Sequence, residues 1–433
     1  MRSRLALASF VLAAACGSGG AGPDASPDAP PLVPTMNWDR DLLSMDWTVD
    51  VTARRATATI TLAPSETAGA SFEIGDLIIA GVRDSGEVEF AVRGERLDLA
   101  VPASTAETTI SIEYDYLPHD AFDGAMSSGL TLLWPYHCGN LFPCKSVPDD
   151  GLRFTMSLTG VPPGEMAIYP ATIPADAPSY MPAWAIGDYT YLDLGATAAG
   201  TAIGVWYLPG GEADATAGTA NLRAVFEWLE TTYGAYLFGD SVASVSAPWG
   251  AGAFGGMEHH PLWHVATGAM DSEEVHAHEA AHGWFGNAIR IACWEDFVLS
   301  EGFASYLATR ALEAVAGTAV SDPIWASYGR RLARVSGGLA WPDSCGTIDI
   351  LEDDLFTDAP YMKGAHFLRA LENRVGRAEL DAAIGAFYLA HRGQAARMQD
   401  LLDTVQTATG YDPNPCATAW LRGTTIPTAD TCP

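Results

Sequence analysis

The chain has 433 residues, enough for two or three domains with ample buried cores. Hydrophobic residues make up 48% of it, which excludes wholesale disorder. Lys and Arg number 23 against 53 Asp and Glu, a formal net charge of −30, and that balance argues against a nucleic-acid partner or a polybasic membrane patch.

In chain order, Arg2 and Arg4 precede an apolar run from Leu5 to Ala15, and small residues lead into Cys16. A short basic region, an apolar stretch and a cleavage zone in that order read as a secretory signal over residues 1–15, too short to span a bilayer. Ala13-Ala14-Ala15-Cys16 resembles a bacterial lipoprotein cleavage box, which implies lipid attachment at Cys16. Residues 16–35, rich in Pro, Gly, Ser and Ala, then form an extended tether. The expectation is an exported bacterial protein, either an outer-membrane lipoprotein of the cell envelope or secreted, touching a membrane only through that anchor. Six further cysteines, Cys138, Cys144, Cys293, Cys345, Cys416 and Cys432, suit disulfides in an oxidising compartment. Proximity pairs Cys138 with Cys144 and Cys416 with Cys432, leaving Cys293 for Cys345.

From Trp47 to Tyr116 the hydrophobic period is two. Ala56, Ala58, Ile60 and Leu62 alternate with threonines, Val88, Phe90 and Val92 follow an Asp84-Ser85-Gly86 turn, and Leu97, Leu99 and Val101, then Ile110, Ile112, Tyr114 and Tyr116, recur at every second position. Such runs predict antiparallel strands with one wet face, and residues 36–200 are read as an N-terminal β-domain. After residue 215 the period becomes helical: Leu222, Val225, Phe226 and Leu229 share one face. Asp271 with Glu274 reads as a capping box opening a helix through Trp284. A third helix runs from about Glu301 to Ala316 and stops at Gly317, and a fourth from Pro360 to Gly376. Residues 201–433 form the second domain on this reading, giving a multidomain α+β chain with a helical end.

Six of the ten histidines fall between His259 and His282. Within them His278-Glu279-Ala280-Ala281-His282 is an H-E-x-x-H pattern on a predicted helix, and residues four apart point the same way, so both imidazoles can reach one metal ion. Glu279, one step round, can face a water and act as base. Two histidines leave a tetrahedral zinc short of a protein ligand, and Glu301, opening the next apolar helix, is the natural third. His276 is out of phase with His282 and reads as a surface or supporting histidine. Asp296 reads as a solvated acid ahead of the helix, with a hydrogen bond to a ligand histidine as the alternative.

His278-Glu279-x-x-His282-Gly283-Trp284-Phe285-Gly286-Asn287, then eighteen residues between His282 and Glu301, then Gly302-Phe303-Ala304, resembles the membrane alanyl aminopeptidase family. Three more segments agree. Gly255-Gly256-Met257-Glu258 stands where that family has its exopeptidase motif, Tyr361-Met362-Lys363-Gly364 matches its Y-x-K-G motif, and Leu141-Phe142-Pro143-Cys144 is similar to a segment of its β-domain. The resemblance implies a thermolysin-like catalytic domain holding one Zn2+ per chain on His278, His282 and Glu301. It implies Glu279 as general base, Tyr361 as oxyanion donor, and Glu258 as the partner of a substrate's free α-ammonium group. Gly255, Gly256, Met257 and His259 line the substrate on this reading, the glycines admitting an extended peptide backbone. The implied activity is removal of the N-terminal residue from peptides with a free N-terminus, by a chain that is monomeric by default.

Three departures qualify that expectation. His259 replaces an Asn of the exopeptidase motif, and Leu133 to Asn140 lacks the family's Gln/Glu pair for the substrate amine. Many relatives also add further domains beyond the point matching Trp420, so a more open cleft is expected here. Zinc endopeptidase action, epoxide hydrolysis of the leukotriene hydrolase kind, and a catalytically inactive peptide-binding protein are the alternatives.

Overall fold

Alternation of apolar and polar residues builds the first half of the molecule. In the strand Arg55–Leu62 the side chains of Ala56, Ala58, Ile60 and Leu62 are buried, and its antiparallel neighbour Thr108–Asp115 buries Ile110, Ile112 and Tyr114 opposite them. The computed structural model describes residues 32–133, 136–250, 254–335, 339–349, 353, 355–427 and 429–433. From Val33 onwards they belong to the compact unit Val33–Pro433. The expected signal, Cys16 and the tether up to residue 31 lie outside the described residues, as do parts of the 133–140 and 251–256 segments.

The largest sheet has six strands in the order Thr172–Ala177, Leu152–Thr159, Leu42–Asp50, Arg55–Leu62, Thr108–Asp115 and Ile78–Arg83. The expected all-antiparallel pattern is broken once, because Leu42–Asp50 and Leu152–Thr159 run parallel. Some hundred residues separate these two strands, so the chain can return in either direction, which a hairpin cannot. Trp47 fixes the core under this sheet. Its indole N–H donates to the Tyr114 hydroxyl at 2.8 Å, and that hydroxyl donates to the Leu141 carbonyl at 3.0 Å. Phe142 packs 4.9 Å from the Trp47 ring, and the Cys138–Cys144 disulfide closes the turn that carries it.

A five-stranded sheet follows, in the order Thr190–Ala196, Ala202–Tyr207, Ser241–Ala247, Leu262–Ala266 and Gly256–Met257. Its inner pairings are parallel and its outer ones antiparallel. The hairpin Thr190–Tyr207 crosses residue 200, so the boundary expected there falls inside one sheet. The strand Ala185–Gly187, by contrast, pairs with Met166–Ile168 in a sheet of its own.

The helices lie beyond this sheet. Leu222–Tyr233, Glu273–His282, Val298–Ala316 and Gly364–Val375 correspond to the four expected ones. Val298–Ala316 is buried on every side over its first four turns, which marks it as the central helix of this half. It ends at Gly317, whose φ of 84° is a conformation only glycine adopts freely. Glu212–Gly218, Thr318–Leu332, Arg377–His391 and Met398–Thr409 are additional helices. The last two carry buried residues at helical spacing, whereas Pro323 obscures the pattern in Thr318–Leu332. No helix among the described residues is long and apolar enough to cross a membrane.

The structure pairs all six cysteines as proximity suggested, including Cys293 with Cys345 across 52 residues. Cross-linking a loop of that length restricts the unfolded chain. A double Cys293→Ser, Cys345→Ser variant is therefore expected to lose about 2–4 kcal/mol of stability in urea unfolding, and a loss below that measurement's error would refute the staple.

Candidate metal centre and cleft

Local sequence explains why Glu273–His282 is a helix. Ser272 caps it by accepting from the Val275 N–H, and Glu273 and Glu274 sit in the first turn, where the helix dipole favours negative charge. The cap is thus Ser272, one residue later than the expected Asp271. A serine hydroxyl there reaches the third residue on, which frees Glu274 to accept from the Tyr328 hydroxyl at 2.6 Å.

His278 and His282 project from this helix towards Glu301 on the central helix. The two Nε2 atoms are 3.1 Å apart, and Glu301 Oε2 lies 3.1 Å from one and 3.4 Å from the other. A tetrahedral zinc with bonds of about 2.0–2.1 Å has ligand–ligand edges of roughly 3.3–3.4 Å, so the residues present fit such an ion in both donor type and spacing. The tautomer fits as well. His282 Nδ1 donates to the Phe285 carbonyl at 3.0 Å, leaving Nε2 with its lone pair turned to the centre. His278 Nδ1 lies 3.5 Å from the Ser305 hydroxyl, and the Ser300 hydroxyl is 3.3 Å from His282 Nδ1.

The electrostatics of the centre also call for positive charge. Burial alone would lower the His282 imidazole, but the carboxylates of Glu258, Glu301 and Glu279 outweigh it and raise its pKa to about 10. Burial opposes ionisation of Glu301, yet the two histidines bring it down to about 2. Glu279 is pushed well above the usual carboxylate range by burial first, with Glu258 and Glu301 adding to the effect. Its Oε2 is buried and has no hydrogen-bond partner, an exposed cost unless a ligand or water meets it. Gly256 stands directly against this carboxylate, so a side chain there would collide with Glu279. Space for the acid, as much as for any peptide backbone, requires that glycine.

Glu258 is buried beside them, and ligand atoms of Glu258, Glu279 and His282 all lie within 4.8 Å of one another. Tyr180 donates to the Glu258 carboxylate at 3.0 Å, and the Asn287 amide donates to the Glu258 backbone carbonyl at 2.7 Å. Tyr361 stacks 6.1 Å from the His278 ring. Burial, then the nearby Glu301, Glu258 and Glu279 charges, hold its phenol well above its ordinary pKa, so it remains a hydrogen-bond donor at neutral pH.

These groups line one cavity of about 330 Å³, with Gly255, Gly256, Met257, Glu258, His278, Glu279, His282, Glu301 and Tyr361 in its wall. Leu132 from the sheet-rich half and Phe254 and Phe356 add apolar surface. Among the described residues, every site residue read from the sequence except His259 is therefore brought together. His259 is buried outside the lining: its Nδ1 is 2.8 Å from His264 Nδ1, and its Nε2 accepts from the Leu133 N–H at 3.5 Å. His276 is no surface residue. It is buried between the Ser244 hydroxyl and the Met270 carbonyl because its helix face packs on the sheet. Asp296 is not solvated either; it is buried and accepts from the Trp341 indole and the Met398 N–H, both at 3.0 Å.

A glycine pair sets how close the elements of the centre come. A Cβ placed on Gly302 would stand 2.7 Å from the Gly364 Cα, and one on Gly364 would stand 2.6 Å from the Gly302 Cα. Glu301 and Tyr361 flank this contact, so backbone proximity puts the ligand and the phenol side by side. Gly364→Ala must push the two helices apart, and the expected cost is about 1–3 kcal/mol, with weakened zinc retention. Gly329→Ala, where nothing lies within 4 Å, should be neutral or stabilising. Denaturant unfolding and metal content of the two variants check this, and equal behaviour would refute the close-contact account.

Residues 261–420 match the Peptidase family M1 domain. The chain is 26% identical over 346 residues to a leukotriene A-4 hydrolase homolog of Botryotinia fuckeliana, covering 73% of this chain and 52% of that protein. It is 25% identical over 334 residues to leucine aminopeptidase 2 of Neurospora crassa, covering 69% and 48%. The chain thus spans about half the length of these two relatives. Its fold is that of an M1 zinc metallopeptidase from Deinococcus radiodurans, with a TM-score of 0.77, 19% identity, and 91% of this chain and 96% of that one covered. A mutant of the Deinococcus protein has been solved with a Tyr-Ser-Ala substrate bound. The part of the chain that matches the Peptidase family M1 domain, residues 261–420, contains His278, Glu279, His282, Glu301 and Tyr361 of the centre just described.

Proposed function

We propose that this protein is a zinc-dependent aminopeptidase that hydrolyses the first peptide bond of peptides with a free N-terminus. The observation that carries the reading is the shared cavity. A three-ligand His278, His282, Glu301 group, an unpartnered buried Glu279 carboxylate and the anchored Glu258 carboxylate all face it. One zinc ion on the three ligands would supply Lewis-acid polarisation of the scissile carbonyl and acidify the attacking water.

The chain's own residues do the rest. Glu279 takes the proton of the attacking water and passes it to the departing amine, a role that suits a carboxylate whose pKa is raised by burial. The protonated Tyr361 phenol donates a hydrogen bond to the oxygen that becomes negative as the carbonyl is attacked. Glu258, steadied by Tyr180, pairs with the substrate's α-ammonium group and so measures one residue from the chain end. His259 has no part in holding substrate on this reading, since its ring is engaged by His264 and Leu133. That leaves the substrate backbone with fewer fixed partners and favours, as a second reading, cleavage further inside a peptide. Export to an oxidising compartment accords with the three cysteine pairs, and the lipid anchor at Cys16 remains part of the proposal.

Matched free and N-acetylated peptides, with a chelator control, test the reading. Chelator-sensitive release of only the first residue from free peptides is expected; equal cleavage of blocked peptides would make the protein an endopeptidase. Glu279→Gln should lower kcat about 10²–10⁴-fold with zinc content unchanged. Undiminished turnover in that variant would overturn the assignment of the base.

A further inference from the structure

The cleft wall is strongly acidic. Glu258, Glu274, Glu279, Glu301 and Asp358 all contribute to it, and Arg331 is the one Arg or Lys among its described lining residues. In a chain with only 23 Lys and Arg, a guanidinium placed in that wall calls for an explanation. It belongs to the helix Thr318–Leu332, one turn beyond Tyr328, whose hydroxyl is held by Glu274. The Asp358 carboxylate accepts from its Nε at 2.7 Å, and its Cζ stands 6.0 Å from the Tyr361 ring centre. Asp358 thereby fixes the Nε edge of the fork, while the two terminal nitrogens are left to present a planar pair of donors. Its side chain is about a third exposed.

We propose that Arg331 is a specificity residue that receives a carboxylate on the leaving-group side of the bound peptide; the inference rests on the aminopeptidase reading above. A guanidinium fork matches a carboxylate in two parallel hydrogen bonds. Elsewhere along the wall a substrate carboxylate meets acids and is repelled, whereas an ammonium group is drawn to Glu258. The wall is therefore polar in the electrical sense. The contacts run in series from the Glu258, Glu279 and His282 group, through the His282 and His278 rings at 4.8 Å, to Tyr361 at 6.1 Å and then to Arg331. A peptide held by its amine at the first end extends about 3.3–3.6 Å per residue, so the terminal carboxylate of a two- or three-residue peptide stays inside the cleft. An acidic side chain just after the cleaved bond offers the same chemistry.

Three dipeptide-based substrates separate these sources: one with a free C-terminal carboxylate, its C-terminal amide, and an amide whose second residue is Asp. Wild-type enzyme should cleave one of the two carboxylate-bearing substrates with a kcat/KM about tenfold or more above the plain amide. Arg331→Gln should abolish that ratio mainly through KM, and Arg331→Lys should restore part of it. Loss of the ratio with the free-acid substrate identifies the terminal carboxylate, and loss with the Asp substrate identifies the side chain. An unchanged ratio in Arg331→Gln, or a wild-type enzyme that cleaves all three alike, overturns the proposal. A wild-type enzyme that cleaves no peptide at all overturns the aminopeptidase reading instead. Denaturant unfolding of both variants, expected within error of wild type at a partly exposed position, separates loss of recognition from loss of fold.

Discussion

The centre depends on bringing three ligand atoms, two imidazole nitrogens and a carboxylate oxygen, within 3.1–3.4 Å of one another. Atoms with lone pairs turned together repel unless something positive lies between them, so the fold has to hold them there. It does so with backbone contacts. The Gly302–Gly364 approach, the glycine at 286 against Ser300 and His282, and the glycine at 256 against Glu279 each remove a side chain where a neighbouring backbone or site residue must fit. The central helix Val298–Ala316 is the common wall, and the burial of its first four turns leaves it little freedom to relax away from the histidines.

The chemistry was more legible in the sequence than the architecture around it. His278, Glu279 and His282 are separated by helix geometry alone, and Glu301 follows at the start of the next apolar run, so local periodicity carries the ligand set. The residues that support it are different. Tyr180 lies 78 positions from Glu258, and Ser300 and Ser305 look like ordinary helix serines. Nothing in their neighbourhoods announces a contact that only the tertiary fold creates. Asp296 and His276 were misplaced for the same reason, since polar residues read singly suggest exposure and these two are buried with their partners.

In the fold, strands with one buried face were readable from alternation, and helices from their terminal glycines. The parallel pairing of Leu42–Asp50 with Leu152–Thr159 was not, because pairing direction is decided by a connection of about a hundred residues rather than by either strand. The hairpin across residue 200 likewise joins Thr190–Ala196, from the expected β-domain, to a sheet whose other strands lie beyond that boundary.

The cluster of histidines around the centre divides sharply by environment. Burial lowers His260 and His264 to about 3 and His276 to about 4, so these rings are neutral structural elements at any ordinary pH. Only His278 and His282 present nitrogens to the centre.

Glu258 belongs to the edge of the five-stranded sheet, but its carboxylate is steadied by Tyr180, which follows the last strand of the six-stranded one. On the proposed function, the amine anchor is therefore calibrated by a seam between the two halves, while His278, Glu279, His282, Glu301 and Tyr361 all sit on one side of it. Under that reading, natural variation in the distant β-sheet drifts the length rule for peptides without touching the hydrolytic residues, and a lineage retunes what it digests through positions that never meet a substrate.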